Sequence, residues 1–391
     1  MPPETALAVG PRRDLRIVGA RLVTSDAVIE ESCLLVEDGI IRSLDASAGT
    51  AEEIDFEGDL LIPGLIDIHT DNLERHYIPR PGAHWDAVGA AIAHDGQVAA
   101  AGITTVLDSL SLHDNVDGLA RDDLPDMIAG LDQARCQRLL RIDHLLHLRC
   151  EVSDSQLLAM LEPQLAHPAL RMLSVMDHTP GQGQFHDLDK LRERWQKENK
   201  SASEIASIPD RMHGMREAEG AIARRRAVAD VARQRGIPLA SHDIRLAAEV
   251  APAAELGCGI AEFPVSMEAA HAAHEYGLLN VMGAPNFVRG HSHSGNLSAR
   301  ELTEAGLMDA ICSDYVPLSM LRALFMLTEE PFSWSLPAAV AQATLGPAKL
   351  ARLDDRGELR VGLRADMLRI RHKSGRWPGV RGVWNEGVRV A

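Results

Sequence analysis

Along this chain the spacing of apolar and polar residues changes twice. From Leu15 to Leu61 the segments LRIVGARLVTSD, VIEESCLLVEDGIIRSL and EEIDFEGDLLIPG roughly alternate between turn signals such as Asp38-Gly39. A period of two predicts short β-strands. Residues 357–390 return to it in GELRVGLRADMLRIRHKSGRWPGVRGVWNEGVRV. Two β-rich ends without a long helix suggest that they pair, giving a composite β-sandwich of residues 13–62 and 352–391.

The middle is organised differently. Short apolar runs recur at 61–69, 102–110, 144–152, 170–178, 237–243, 259–266, 278–286 and 309–314. Helix-like segments such as DSQLLAMLEPQLA and AAEVAPAAELG separate most of them. Strands alternating with helices over about 250 residues indicate a (β/α)₈ TIM-type barrel, here over 63–351, with a helical insertion near 181–235. The alternative is an open doubly wound sheet; the number of runs favours the barrel. Within the insertion, the charged stretch 187–212 (DLDKLRERWQKENKSASEIASIPDRM) reads as a solvated helical excursion. A lid or a subunit contact is the other reading, which leaves a homo-oligomer open.

Composition narrows the class. Of 391 residues, 46% are hydrophobic but only 4% aromatic, so the core must rest on Leu, Ile, Val, Ala and Met. A net charge of −16 without a basic stripe argues against nucleic-acid binding. The five cysteines form no CxxC pair, a pattern that suits a reducing compartment. The start, MPPETALAVGPRRDL, lacks the apolar core of a signal peptide, and no run reaches the length of a transmembrane helix. The expectation is a cytoplasmic protein with neither membrane nor nucleic-acid partner.

Residues able to bind metal fall at the C-terminal ends of the runs, where barrel enzymes place their sites. His69 and Asp71 end the first run, and two residues apart in extended chain they project to one side. Glu151 ends the third run, Asp177-His178 the fourth, His242-Asp243 the fifth and Asp314 the last. Singly, a strand-end His is more often a hydrogen-bonded structural residue, and a strand-end Asp, as at 177 and 243, more often a helix N-cap. Their common position on one rim is what points to a site.

The segment LIPGLIDIHTD with its β-rich lead-in, the later CSDY, and the closing TLGPAKLARLDDRGELRVGLRADMLRI resemble the amidohydrolase superfamily. The resemblance implies a first-strand HxH, a middle-strand carboxylate, two further histidines and a last-strand Asp holding one or two divalent metal ions. It assigns His69, Asp71, Glu151, His178, His242 and Asp314 as ligands. Asp71 stands where the second His of HxH belongs, and a harder carboxylate tilts the choice among Zn²⁺, Mn²⁺ and Mg²⁺ toward the last two. No His ends the sixth run, so His178 and His242 serve as the later pair.

A narrower resemblance rests on HTDNLERHYIPRPGAHWD, AIAHDGQVAAAGITTVLDSL, HLLHLRCEV, MDHTPGQGQF, SHDIRLAAEV, AEFPVSMEAAHAA and GAPNFVRGHSHSGNLSA. Together they look like the α-D-ribose 1-methylphosphonate 5-triphosphate diphosphatase family of the carbon–phosphorus lyase pathway, which has the HTD form of the first motif. The resemblance implies hydrolysis of a phosphorylated ribose phosphonate, releasing pyrophosphate and leaving the 5-phosphate, with Asp314 as general base. The segment 286–296 (NFVRGHSHSGN) gathers donors for a triphosphate in Arg289, His291, Ser292, His293, Ser294 and Asn296, with Gly290 and Gly295 letting the backbone approach an anion. Arg245, Arg75 and Arg80 are further phosphate candidates. Asn72 and Glu74 would orient the ligands from behind. Long-range steering by −16 opposes a polyanion, so local arginines and the metal must reverse the potential in the mouth. Hydrolysis of a C–N bond, by a cyclic amide hydrolase or deaminase, is the alternative; a catalytically silent scaffold barrel is a third.

Overall fold

The computed structural model describes residues 13–45, 51–80, 82–113, 120, 122–179, 183, 188–189, 192, 196, 218–292 and 295–391. Almost all of the charged excursion 187–212 lies outside the described residues. Strands β1 (Leu15–Val23), β2 (Val28–Glu37), β3 (Ile40–Ser43), β4 (Glu52–Asp55) and β5 (Leu60–Pro63) open the chain. Then come β6 (Leu65–Thr70), β7 (Ile103–Leu112), β8 (Asp143–Glu151), β9 (Leu170–Met176), β10 (Leu239–His242), β11 (Ile260–Glu262), β12 (Leu279–Gly283) and β13 (Ala310–Cys312). The chain closes with β14 (Met367–Arg371), β15 (Gly379–Asn385) and β16 (Val388–Arg389).

β6 to β13 pair in chain order, each parallel to the next. The ends of this sheet meet. Thr70 bridges Asp314 in parallel sense, the Asp71 amide donates to the Asp314 carbonyl at 3.0 Å, and the Asp314 amide donates to the His69 carbonyl at 2.9 Å. The result is a (β/α)₈ barrel rather than an open sheet. Its interior is filled by Ile66, Ile68, Leu107, Met172, Ala240, Ile260, Val281, Ala310 and Cys312, with Leu145 beside them. Helices such as Ala87–Ala100, Asp123–Cys136 and Ala218–Arg235 cover the outside, burying Leu110, Leu131, Leu146, Leu148 and Val228 in the layer between.

The strands of the two chain ends form one curled sheet, in the order β16-β15-β14-β5-β1-β2-β3, with β4 against β1. β14 lies antiparallel to β5, so the termini pair directly. The apolar run at 61–69 is therefore shared between two sheets and is cut at Gly64. A Cβ there would sit 2.1 Å from Thr104 Oγ1, so only glycine lets the chain pass from one sheet to the other at this depth.

A buried ion cluster fastens the C-terminal segment to the barrel. Asp143, the first residue of β8, receives Arg356 Nη1 at 2.5 Å and Arg364 Nη1 at 2.7 Å. Arg364 also reaches Asp366 at 3.1 Å and Asn385 Oδ1 at 2.7 Å. Removing the shared carboxylate takes the common partner from two buried guanidinium groups and leaves them repelling each other, with Asp355 still on Arg356 and Asp366 on Arg364. Asp143→Ala is expected to lower unfolding stability by about 3 to 5 kcal/mol, measured by denaturant titration; a loss under about 1 kcal/mol would contradict this account of the interface.

Candidate metal centre at the barrel mouth

The C-terminal ends of the strands carry a dense polar cluster. His69, next to the last residue of β6, is buried; its Nδ1 donates to Glu262 Oε1 at 2.7 Å. His242 ends β10, and its Nδ1 donates to Glu262 Oε2 at 2.7 Å. One fully buried carboxylate at the end of β11 thus holds two imidazoles whose centroids stack 5.5 Å apart. Spending Nδ1 on Glu262 leaves Nε2 of each ring as its ligand atom. Burial opposes ionisation of Glu262, but His69 and His147 outweigh it and hold the carboxyl well below its ordinary range. The ring of Phe263 packs edge-on against both, at 4.8 Å and 5.2 Å, fixing their orientation.

His178 joins from the other side. Its Nδ1 lies 3.3 Å from Glu151 Oε2 and its Nε2 lies 3.6 Å from Asp243 Oδ2. Glu151, fully buried at the end of β8, also accepts from Ser153 Oγ at 2.6 Å and the His178 amide at 3.1 Å. Burial would raise Glu151, but the His178 contacts prevail and hold it near 2. Burial likewise opposes charge on His178, but Asp243 and Glu151 lift it to about 9. His242 Nε2 is 3.7 Å from the same Asp243 Oδ2.

Asp71 and Asp314 complete the ring at the seam where the barrel closes. Asp71 occupies the N-cap of the helix Asn72–Tyr77, yet its side chain makes no capping bond. Burial and the neighbouring Asp71 carboxylate push Asp314 up to about 8. Gly283 makes room for it, since a Cβ there would sit 3.0 Å from Asp314 Oδ2. Asp243, Phe263 and Asp314 all adopt left-handed backbone (φ 57, 54 and 55) just past their strands. Non-glycine residues in that region carry strain that concentrates at functional sites.

Several buried atoms here have no hydrogen-bond partner: Asp71 Oδ1, Asp243 Oδ2 and His147 Nε2. Orphaned carboxylate oxygens beside imidazole nitrogens are what a divalent cation would satisfy, so the donor set fits a metal. His178, His242 and Asp243 form one group with ligand atoms close enough to share an ion; in the group His69, His242 and Glu262 the carboxylate is already taken up by the two Nδ1 atoms.

A third such group, His94, Asp108 and His144, lies behind the wall between β7, β8 and the helix Ala87–Ala100. Its atoms are already paired. His94 Nε2 is 2.7 Å from Asp108 Oδ1, and His144 Nδ1 is 2.9 Å from Asp108 Oδ2. Asn72 Nδ2 donates to His94 Nδ1 at 2.8 Å. This chain supports the turn after Asp71 instead of offering open ligand sites. Burial acts against a charge on His144, but Asp108 and Asp95 raise it to about 9.

All six expected ligands therefore gather on one rim. Glu74 accepts the Ser111 amide at 3.1 Å, and Asn72 also reaches Gln97 at 2.9 Å. Arg289 Nη1 donates to Tyr315 Oη at 3.3 Å, and its Nη2 is 3.3 Å from His291 Nε2. The Arg75 guanidinium lies 5.1 Å over the Tyr315 ring. Two cations thus converge on the residue after Asp314. The donor segment 286–296 starts inside the helix Ala284–Arg289, with Gly290 (φ 82) as its left-handed C-cap. Ser292 and Asn296 follow it half-buried; His293 and Ser294 lie outside the described residues. Arg80 sits on an exposed turn and Arg245 is half-buried past β10. Among the described residues, neither side chain bonds to the cluster. At the end of the sixth run, where the family pattern has a histidine, stands Glu262, which no local sequence signal marks as a partner of His69 and His242. His147 is missed as well, although residues 147 and 151 share the face of one strand.

No protein-family model matches the chain. It is 38% identical to the alpha-D-ribose 1-methylphosphonate 5-triphosphate diphosphatase of Escherichia coli (strain K12) over 383 residues, covering 96% of this chain and 99% of that protein. Among solved structures it is similar to the N-acetylglucosamine-6-phosphate deacetylase of Pasteurella multocida, with TM-score 0.65 and 12% identity over 96% of this chain and 99% of that one. The dihydropyrimidinase of Brevibacillus agri gives TM-score 0.59 and 14% identity over 96% and 95%. At such identities the two structures speak to the fold alone.

Glu262→Gln keeps the volume but can accept from only one imidazole without placing its own N–H against the other. It is expected to weaken divalent-metal affinity about 10- to 100-fold in a calorimetric titration of metal-depleted protein; unchanged affinity would contradict the role given to Glu262. The His144 pair predicts a pH dependence. A folded value near 9 against an unfolded value of about 6.5 gives stability that is complete below pH 6.5 and lost as pH rises through 9. Unfolding free energy should decline over that window in the wild type and decline less in Asp108→Asn. Equal slopes would refute it.

Proposed function

The chain belongs to the alpha-D-ribose 1-methylphosphonate 5-triphosphate diphosphatase family, and from that premise we propose that it hydrolyses this ribose triphosphate to the 5-phosphate and diphosphate in phosphonate catabolism. It is a hydrolase on an amidohydrolase-type barrel. One observation carries the phosphate reading. Arg75 and Arg289 converge on Tyr315, directly after Asp314, in a chain whose net charge of −16 would otherwise repel a polyanion.

The geometry supports the following roles. Nε2 of His69 and of His242, His178, and the carboxylates of Asp71, Glu151 and Asp314 would hold the cation, and the carboxylate share of that set favours Mn²⁺ or Mg²⁺ over Zn²⁺. When bound, such an ion acidifies water and neutralises charge that develops on phosphoryl oxygens. Asp314 takes the proton of the attacking water, a role supported by its seat at the barrel seam and by the space that Gly283 leaves beside its carboxyl. Arg289, His291 and Arg75 receive the outer phosphates as charge-assisted donors. Ser292 and Asn296 continue that surface, with His293, Arg245 and Arg80 as further contacts. Glu262 and the Asn72–His94–Asp108 chain hold ligands still, with Glu74 fixing the start of the first helix. Among the described residues no helix is long and apolar enough to cross a membrane.

Metal-loaded protein incubated with the ribose triphosphate is expected to release pyrophosphate. Single orthophosphate, or no turnover together with cleavage of an amide, would overturn the reading in favour of C–N hydrolysis. Asp314→Asn is expected to lower kcat by at least about 10²-fold while leaving the thermal midpoint within a few degrees. Near-wild-type turnover would refute the base assignment.

A further inference from the structure

Arg149 is a cation inside the barrel with nothing yet to hold. Side chains alternate along β8, so Leu145, His147, Arg149 and Glu151 share a face. Leu145 packs with the interior cluster, and His147 Nδ1 reaches the Ile68 carbonyl at 3.0 Å and Ser109 Oγ at 3.2 Å on the neighbouring strands. The intervening residues Leu148 and Cys150 point to the helix layer. Arg149 therefore projects inward, two residues short of Glu151. Its positive charge acts on His69, His147, Asp243 and Asp314. Its Nε is buried and has no hydrogen-bond partner. Among the described residues it has no ion-pair partner either, whereas Arg356 and Arg364 both pair with Asp143.

A fixed cation beside residues that suit a divalent cation is unfavourable on its own, because the two repel. The arrangement becomes favourable when an anion of high charge lies between them. Guanidinium remains protonated at any working pH and its planar fork matches two phosphoryl oxygens. We propose that Arg149 binds the triphosphate directly, donating to non-bridging oxygens next to the metal-binding cluster, while Arg289 and Arg75 meet the outer phosphates. The assignment rests on the phosphoanhydride reading for its substrate. It adds that cation and polyphosphate bind synergistically, and that Arg149 weakens metal binding when no polyphosphate is present.

Calorimetry with inorganic tripolyphosphate and Mn²⁺ separates these ideas without turnover. Arg149→Gln is expected to bind Mn²⁺ alone as well as wild type or more tightly, and tripolyphosphate in the presence of Mn²⁺ about 10- to 100-fold more weakly. Arg149→Lys keeps the charge but not the fork, and should fall between. Unchanged tripolyphosphate affinity in Arg149→Gln would overturn the assignment, as would loss of Mn²⁺ binding in a folded variant, which marks a structural role. If the Gln variant does not fold, wild-type tripolyphosphate affinity in Arg149→Lys overturns it. Weakened tripolyphosphate binding supports Arg149 even if wild type fails to release pyrophosphate from the ribose triphosphate, a failure that counts against the substrate alone.

Discussion

Like charges gathered in a poorly hydrated space repel, and the end of this barrel gathers many of them. Asp71 and Asp314 stand together where the last strand closes on the first, Asp243 acts on Asp314 from the end of β10, and burial and Asp71 push Asp314 up to about 8. Backbone hydrogen bonds between residues 69, 71 and 314 fix that crowding, because the same bonds close the barrel. The fold therefore cannot relax the repulsion by moving the carboxylates apart. Only a bound cation or a proton relieves it, and this constraint ties the architecture to the chemistry.

The surrounding structure distributes charge around that constraint. Glu262 fixes two imidazoles by their Nδ1 atoms and so directs Nε2 toward the mouth. His178 sits between Glu151 and Asp243. Behind the wall, Asp108 is satisfied by His94 and His144, and His94 accepts from Asn72, one residue from Asp71. A stiff polar network of this kind holds the first turn after β6 in place. Arginines enter from separate elements: Arg149 from β8, and Arg75 of the first helix and Arg289 of the helix after β12, which meet on Tyr315 next to Asp314.

Much of this was legible in the sequence, for physical reasons that can be named. The eight barrel strands are short and largely apolar because they are covered on both faces; β6 is buried at every position and interrupts its apolar residues only with Asp67, His69 and Thr70. Site residues were readable because parallel strands place their C-terminal ends on one rim. The limits were equally physical. Gly64 divides one apolar run between two sheets, because of a contact with Thr104 some forty residues away that no local pattern encodes. Glu262 resembles any strand-end carboxylate until His69 and His242 are seen on its two oxygens. The helix Ala284–Arg289 was hidden in a segment rich in loop-forming residues and stands because Asn286 and Arg300 tie it to the next helix.

A cation held at this rim, and not in the buried group behind it, would be visible by anomalous diffraction at the manganese edge from crystals grown with Mn²⁺. The expected peak is bounded by His69, His178, His242 and Asp314. A peak among His94, Asp108 and His144 instead, or no peak at the mouth under saturating Mn²⁺, would contradict it.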